Sequence, residues 1–390
     1  MSDDHILNRR EFLKTTAAIG AGAIVASALP EKVFSLDTKP AEKPATNLQD
    51  ALKYPRNQDS MPGKIPGKVV EVDHAGAVID NKPDAKAAHA MISAGILALT
   101  GAADLKNAWQ TFFSPGDRIG IKVNPVAGKE LSTSLEVTRA VIAQLVEAGI
   151  PVKNIMIWDR REFELEETGF TPENFPGISI KGTECKIEGS FTDASGKLFS
   201  EQRIDKDWYY WADVEGKYDA ETLSYMVNEG KYSYFSNICT REVDKIINIP
   251  ILKNAGASVT LCLKNLAYGA ITNTGRLHKD LWSETSAEVC AFPPLRDKVV
   301  LNIVDGLRGC FNGGPGYNPQ YLFDFKCMLF GTDPVAVDRI GYEIIQKKRR
   351  EEGIQKEESP RGRQFMILAQ EIGLGTQDLE KITWKKIELD

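Results

Sequence analysis

The sequence has none of the short motifs that identify the commonest catalytic sites. The six cysteines lie far apart, and no Cys-x-x-Cys pair occurs among them. This spacing argues against a thiolate zinc site and against an iron–sulfur cluster held within the chain. The phosphate-binding pattern G-x-x-x-x-G-K-[ST], a G-x-G-x-x-G turn after a strand and the G-x-S-x-G elbow are absent as well. Any chemistry must therefore come from less familiar groupings of side chains.

The sequence also lacks runs of five or six like charges, and its 390 residues carry a net charge of −6. Nothing in this balance favours nucleic acid as a partner. With 42% hydrophobic and 26% charged residues, the composition is that of a globular protein with one large core or two modest ones. Local basic groups must be argued residue by residue.

The N-terminus carries a specific signal. Asn8 to Lys14 reads NRREFLK, a short Ala- and Gly-rich apolar run follows, and Ala26-Ser27-Ala28 offers a small-x-small cleavage site. This segment resembles a twin-arginine export signal, which a receptor reads. It predicts that residues 1–28 are a signal peptide, that the twin-arginine export machinery is a partner and that the folded protein is periplasmic or otherwise extracytoplasmic. The alternative is an uncleaved N-terminal membrane anchor.

Residues 29–64 are rich in Pro, Lys, Asp and Asn, which predicts a flexible linker before an α/β domain at 65–390. Alternating apolar residues predict a strand at 119–123, and hydroxyl caps predict a helix after 134. An apolar strand at 153–160 completes a βαβ unit, so we expect a mainly parallel sheet flanked by helices. The acidic and aromatic stretch at about 160–235 breaks the pattern and is predicted to be an inserted α+β or irregular subdomain.

Polar side chains follow several of the predicted strands. Ligand crevices of parallel sheets lie at the carboxyl ends of their strands, so we expect these side chains to meet there. Lysines beside helix N-termini favour carboxylate or phosphate, because the helix dipole adds to their charge. The residues in question are Lys122, Asn124, Asp159, Lys253, Asn254, Asp305 and Gly306.

The stretch ILKNAGASVTLCLKN, residues 251–265, contains two Leu-Lys-Asn triplets. We interpret Lys253 as the end of a strand, Ser258 as the cap of the next helix, and Lys264 as a residue about two turns along it. Two ammonium groups in this arrangement favour an anion between them, or a lysine whose pKa is lowered for use as a base or nucleophile. In the alternative interpretation, each lysine packs its stem and extends its head to water.

Three further residues have both a functional and an ordinary interpretation. His278 lies in a polar, turn-rich segment and is either an acid–base group or ligand, or a surface histidine. Asp305 is either a site carboxylate or the first residue of a common Asp-Gly turn. Asp338 either reaches the site or faces solvent from its helix. Asp159, Asp305 and Asp338 could together hold a divalent cation through oxygen ligands.

Four segments together resemble the family known as domain of unknown function 362: DRIGIKVNP with the Thr-Ser loop after it, IPILKN to the histidine, VVLNIVDGLRG with GGPG, and LFGTDPVAVDRIG. The resemblance implies an α/β protein in a redox or cofactor-linked setting, with no established activity. It marks as candidates Lys122, Asn124, Thr133, Ser134, Lys253, Lys264, Asn265, His278, Asp305, Gly306, Asp333 and Asp338.

The sequence departs from that family in two ways. Asn254 and Ala255 stand where members often have a histidine, which argues against a metal role there. The ferredoxin-like module of some members is missing, so any electrons would have to come from a redox partner protein. The cofactor is left unknown, with a divalent metal as one candidate.

These observations predict an exported enzyme that binds an anionic small molecule or cofactor through strand-end Lys, Asn and Asp residues. Lys264, Asp305 and His278 are the catalytic candidates. The ligand-binding candidates are Lys122, Asn124, Thr133, Ser134, Lys253, Asn265, Gly306 and Asp338. The alternative is a non-catalytic periplasmic binding or cofactor-maturation protein that serves a redox partner.

Overall fold

The computed structural model describes residues 43–184, 202–215, 230–256, 258–354 and 362–390. The predicted signal peptide at 1–28 and the first part of the predicted linker lie outside the described residues. Contacts group Pro44–Asp390 into one unit. Within the described part of the chain, no helix combines the length and the apolar character needed to cross a membrane.

The strands are numbered along the chain. They are β1 (Lys68–His74), β2 (Val78–Ile79), β3 (Lys82–Pro83), β4 (Ile119–Lys122), β5 (Ile155–Arg161), β6 (Ser179–Glu184), β7 (Ile204–Trp211), β8 (Tyr232–Ser236), β9 (Lys245–Asn248), β10 (Ile251–Ala255), β11 (Ser258–Val259), β12 (Val299–Cys310), β13 (Leu322–Phe323), β14 (Cys327–Gly331) and β15 (Thr383–Leu389).

The α-helices are numbered in the same way. They are α1 (Leu48–Leu52), α2 (Ala85–Thr100), α3 (Leu105–Gln110), α4 (Leu135–Glu147), α5 (Glu162–Glu167), α6 (Cys262–Ala270), α7 (Leu277–Asp280), α8 (Trp282–Glu288), α9 (Pro293–Arg296), α10 (Pro334–Glu351) and α11 (Gln364–Glu371).

One large sheet organises the domain, with strand order β15-β1-β14-β12-β9-β4-β5-β6. Neighbouring strands are parallel except where β14 runs against β1 and β12. β10 continues the line of β9 and pairs in parallel with the second half of β12. The predicted α/β class, with a mainly parallel sheet flanked by helices, is confirmed.

Apolar side chains on the two faces of the sheet alternate along each strand, as the period of two requires. Ile303 and Phe330 pack under α2 and α4 on one face. Val304 and Leu329 pack under α6, α8 and α10 on the other. The central strands of the sheet are therefore covered on both sides, whereas the edge strand β15 is largely exposed along its length.

The structure corrects the start of the folded domain. The predicted linker was to extend to residue 64, yet α1 lies within it and both Ala51 and Met61 have 0% of their surface exposed. The Ser60 hydroxyl donates to Asp297 Oδ1 at 2.5 Å. Because these apolar residues pack against the domain, the ordered unit begins at Pro44.

The predicted insertion at 160–235 also begins later than expected. α5 follows β5 directly, and β6 pairs in parallel with β5, so both extend the main βαβ pattern. β7 and β8 then form a separate antiparallel ribbon. The acidic sequence of α5 hid this unit, since only Leu165 of that helix is buried.

Candidate functional site

Lys122 lies at the carboxyl end of β4, with 1% of its surface exposed. Its Nζ forms an ion pair with Asp159 on β5 and donates to the Val123 carbonyl at 2.8 Å and to Asn265 Oδ1 at 3.0 Å. Three acceptors use all three of its protons. Lys122 therefore joins β4, β5 and α6, and its charge is already balanced by a carboxylate.

A directed chain of buried amides crosses the sheet beside this ion pair. Asn124 Nδ2 donates to Asn265 Oδ1 at 2.7 Å, and Asn265 Nδ2 donates to Asn248 Oδ1 at 2.8 Å. Asn248 Nδ2 then donates to Asn302 Oδ1 at 2.9 Å. Asn248 lies opposite both Lys122 and Asn302 in the strand register. The four asparagines thus form one hydrogen-bonded row, which α6 covers through Asn265.

Lys253 begins this row. Its Nζ donates to Asn124 Oδ1 at 2.7 Å, and none of its surface is exposed. Among the described residues, Lys253 Nζ makes no second hydrogen bond and no ion pair. Burial, with the nearby charge of Lys264 as the second cause, lowers the pKa of Lys253 to about 7. Near pH 7, about half of the protein molecules therefore carry Lys253 in its neutral form.

Lys264, on α6, is half-buried. In the described part of the chain no oxygen accepts a hydrogen bond from its Nζ, which lies 5.1 Å from the centre of the Tyr268 ring. Burial lowers the pKa of Lys264 to about 8. Lys253 and Lys264 thus place two amines close enough to repel each other, with no carboxylate paired to either.

His278 lies close to both Lys264 and Arg160. His278 is exposed, and its ring lies 4.5 Å from the Tyr268 ring, centre to centre. His278 Nδ1 lies 3.0 Å from the Thr274 carbonyl, so Nδ1 carries the proton and Nε2 has a free lone pair. The surrounding protein, followed by the charges of Lys264 and Arg160, lowers the pKa of His278 below its ordinary value. Arg160 donates to the Thr274 hydroxyl.

Thr133, Ser134 and Asp305 form a second polar group with other partners. The Thr133 hydroxyl accepts from Asn124 N at 2.9 Å and donates to the Ile249 carbonyl at 2.7 Å. Asp305 accepts from Ser134 N at 2.8 Å and from Leu307 N at 3.1 Å. Burial raises the pKa of Asp305, although these hydrogen bonds oppose the shift. Asp305 therefore secures the start of α4 instead of meeting the lysines.

Asp338 caps α6 from a distant helix. Its carboxylate oxygens accept from Cys262 N at 2.5 Å and from Leu263 N at 3.1 Å, and none of its surface is exposed. Burial raises the pKa of Asp338 to about 7. The expectation that Ser258 caps this helix is wrong, because Ser258 belongs to β11 and donates to the Gly362 carbonyl. The alternative of a solvent-facing Asp338 is wrong too.

Two glycines owe their identity to close packing. A Cβ on Gly306 would lie 2.8 Å from the Cys327 carbonyl oxygen, so this candidate ligand residue is a packing position in β12. A Cβ on Gly269 would lie 2.1 Å from Lys122 Cε and 3.3 Å from Asp159 Oδ1. Gly269 thus lets α6 approach the buried ion pair.

The three aspartates considered for a cation do not form one group. Asp159 pairs with Lys122, Asp305 with Ser134 and Asp338 with α6. Among the described residues, the set of three side chains close enough to share a metal is Glu71, Asp73 and Cys327. Lys386 already binds both of those carboxylates, at 3.1 Å and 2.5 Å. Both carboxylates of this cluster are therefore already paired with a lysine.

Several residues of the site escaped the sequence analysis. Asn248 ends β9, so the rule used for Lys122 and Asp159 would have found it. Asn302 lies inside an apolar strand and Arg160 just beyond the strand-end aspartate, and neither position signals a role. Gly269 lies inside α6, and only the packing against Lys122 shows its function.

Comparison with known proteins gives a partial match. Residues 216–343 match the family described as domain of unknown function (DUF362). This segment includes Lys253, Lys264, Asn265, His278, Asp305, Gly306 and Asp338, whereas Lys122, Asn124, Thr133 and Ser134 precede it. The resemblance is therefore supported over the second half of the site.

No curated protein matches the chain in sequence. Among solved structures, the chain is similar to a crystal structure of a Thermotoga maritima protein determined by a structural genomics consortium, with 9% identity and a TM-score of 0.35. The similarity covers 63% of this chain and 57% of that one.

Proposed function

We propose that the protein is an exported enzyme that binds an anionic small molecule or cofactor beside Lys264. The observation that carries the proposal is the unbalanced charge of Lys253 and Lys264. Two neighbouring amines, neither of them in an ion pair with a carboxylate among the described residues, repel each other in the free protein. A bound anion offsets the two positive charges, so the relief of their repulsion favours the anion-bound protein.

The residues take different roles in this proposal. Lys264 is partly open to solvent and contacts the anion. Lys253 has no exposed surface and cannot contact the anion. It contributes through the positive charge of its protonated form, which adds to the potential at the anion site. Arg160 and His278 border the same region, and the neutral His278 ring offers Nε2 as a proton acceptor.

Export by the twin-arginine route is the second part of the proposal. It rests on Arg9 and Arg10 in the NRREFLK segment and on the small-residue site at 26–28. This route suits a protein that acquires a ligand or cofactor before it crosses the membrane, and a redox partner protein would then be met outside the cytoplasm. Changing both arginines to lysine should retain the protein in the cytoplasm, as measured by cell fractionation.

Calorimetry and thermal unfolding test the anion site, with sulfate, phosphate and oxalate as probes. At 100 times its dissociation constant a bound anion should stabilise the protein by about 2.7 kcal/mol. Lys264→Ala should abolish this stabilisation and leave the melting temperature of the free protein nearly unchanged. Lys279→Ala, which removes an exposed lysine of α7, is the matched control. Equal anion binding by wild type and Lys264→Ala would refute the proposal.

A further inference from the structure

We propose that Lys264 forms a Schiff base with the carbonyl carbon of a 2-oxo carboxylate. This inference rests on the proposed anion site and names the class of its substrate. The geometry behind it is an amine that is partly accessible, has no hydrogen-bond acceptor among the described residues and lies close to the buried amine of Lys253.

An amine nucleophile must lose its proton before it attacks, and the surroundings of Lys264 promote that loss. Its Nζ lies 5.1 Å from the centre of the Tyr268 ring and, among the described residues, is not held by an ion pair. Burial lowers the pKa of Lys264 to about 8. At pH 7 such a side chain is about 300-fold richer in neutral amine than a lysine at its ordinary value of 10.5.

The same neighbours fit a substrate with a carboxylate next to its carbonyl group. Arg160 is a planar cation suited to a carboxylate, and the buried charge of Lys253 attracts the same group. The Lys264 nitrogen adds to the carbonyl carbon, and the amine proton moves to the carbonyl oxygen. Loss of water then leaves a protonated imine. In the net reaction the carbonyl compound and the protonated amine give an iminium ion and water, and no oxidant or reductant is needed. His278 Nε2 can accept and return the proton during these steps.

The experiment uses the full folded protein with glyoxylate, the smallest 2-oxo acid, and cyanoborohydride. Reduction of the imine leaves a stable carboxymethyl group, which peptide mass spectrometry locates. Lys279 is the internal reference, since it is exposed on the neighbouring helix. We expect labelling of Lys264 to exceed that of Lys279 by at least about tenfold and to fall when oxalate is added.

The outcomes separate this inference from the proposed function. Oxalate binding without preferential labelling of Lys264 overturns the Schiff base and keeps the anion site. Absence of both oxalate binding and labelling refutes both proposals. If Lys264 is labelled preferentially but oxalate neither binds the protein nor lowers the labelling, the carboxylate part of the substrate class is overturned. Lys264→Arg should bind oxalate and lose the label, and if it fails to fold, mapping of the wild-type protein decides.

Discussion

Replacing Lys253 with methionine should change how the stability of the protein depends on pH. The pKa of Lys253 is lowered from 10.5 to about 7, so the folded state binds fewer protons than the unfolded state between these values. Stability therefore rises with pH in this window. The charged side chain costs about 5 kcal/mol at pH 6 and about 2 kcal/mol at pH 9, from 1.36 kcal/mol per pKa unit.

Methionine fills a similar volume and cannot ionise. It also removes the hydrogen bond to Asn124 Oδ1, at a pH-independent cost of about 1–3 kcal/mol. The mutant should thus be more stable than the wild type at pH 6 and about equal to it at pH 9. Urea unfolding at both pH values measures the free energy of unfolding. We expect the difference between the two proteins to shrink by about 3 kcal/mol from pH 6 to pH 9.

Lys279→Met controls for the loss of an exposed charge and should not alter the pH dependence. The charges near Lys253 are those of Lys264, Asp159 and Glu164, and all remain in the mutant. If wild type and Lys253→Met lose or gain stability in parallel across this range, Lys253 keeps its ordinary pKa. The argument for an unbalanced lysine pair would then fail.

Two further substitutions test the supports of the site. Gly269→Ala should destabilise the protein by about 2 kcal/mol or more in urea unfolding, because the new Cβ would lie 2.1 Å from Lys122 Cε. Gly116→Ala is the control and should have little effect, because the space around Gly116 is open. Equal effects of the two substitutions would contradict the packing role of Gly269. Asn265→Leu should cost at least about 3 kcal/mol, because it strands donors on Lys122 and Asn124 and an acceptor on Asn248. Asn154→Leu, which loses one hydrogen bond at the surface, is its control in the same assay.

The strand-end rule explains which parts of the site the sequence could predict. Lys122 meets Asp159 because parallel strands bring their carboxyl ends to one edge, and Lys122 and Asn124 both reach Asn265 there. The alternation of apolar residues reveals these strands in the sequence. Asp84 and Asp333 cap α2 and α10 by accepting from the amides three residues ahead, so these contacts also depend on local spacing. These features depend on residues close in the chain or on a topology that handedness restricts.

Features set by distant contacts were beyond the sequence. The sequence predicts Asp305 beside the lysines, whereas in the structure its two carboxylate oxygens accept hydrogen bonds from Ser134 and Leu307. The sequence predicts Ser258, next to the helix, as the cap of α6, whereas the capping residue is Asp338 on α10. The packing of residues 44–64 against the domain, which buries Ala51, Ser60 and Met61, depends on contacts with Arg296 and Asp297, and low periodicity gave no sign of it. Propensity describes a segment, whereas these outcomes depend on what the rest of the chain brings to it.

The capping of α6 by Asp338 has a consequence for the order in which the site is built. The carboxylate that receives the first amides of the helix comes 76 residues after Cys262 in the chain. A growing polypeptide that carries Lys264 therefore cannot fix this helix until the residues of α10 have been made. Chains truncated before residue 338 should leave both amides unsatisfied and Lys264 without a defined position. Assembly of the site is thus a late event in synthesis, which links its formation to completion of the fold.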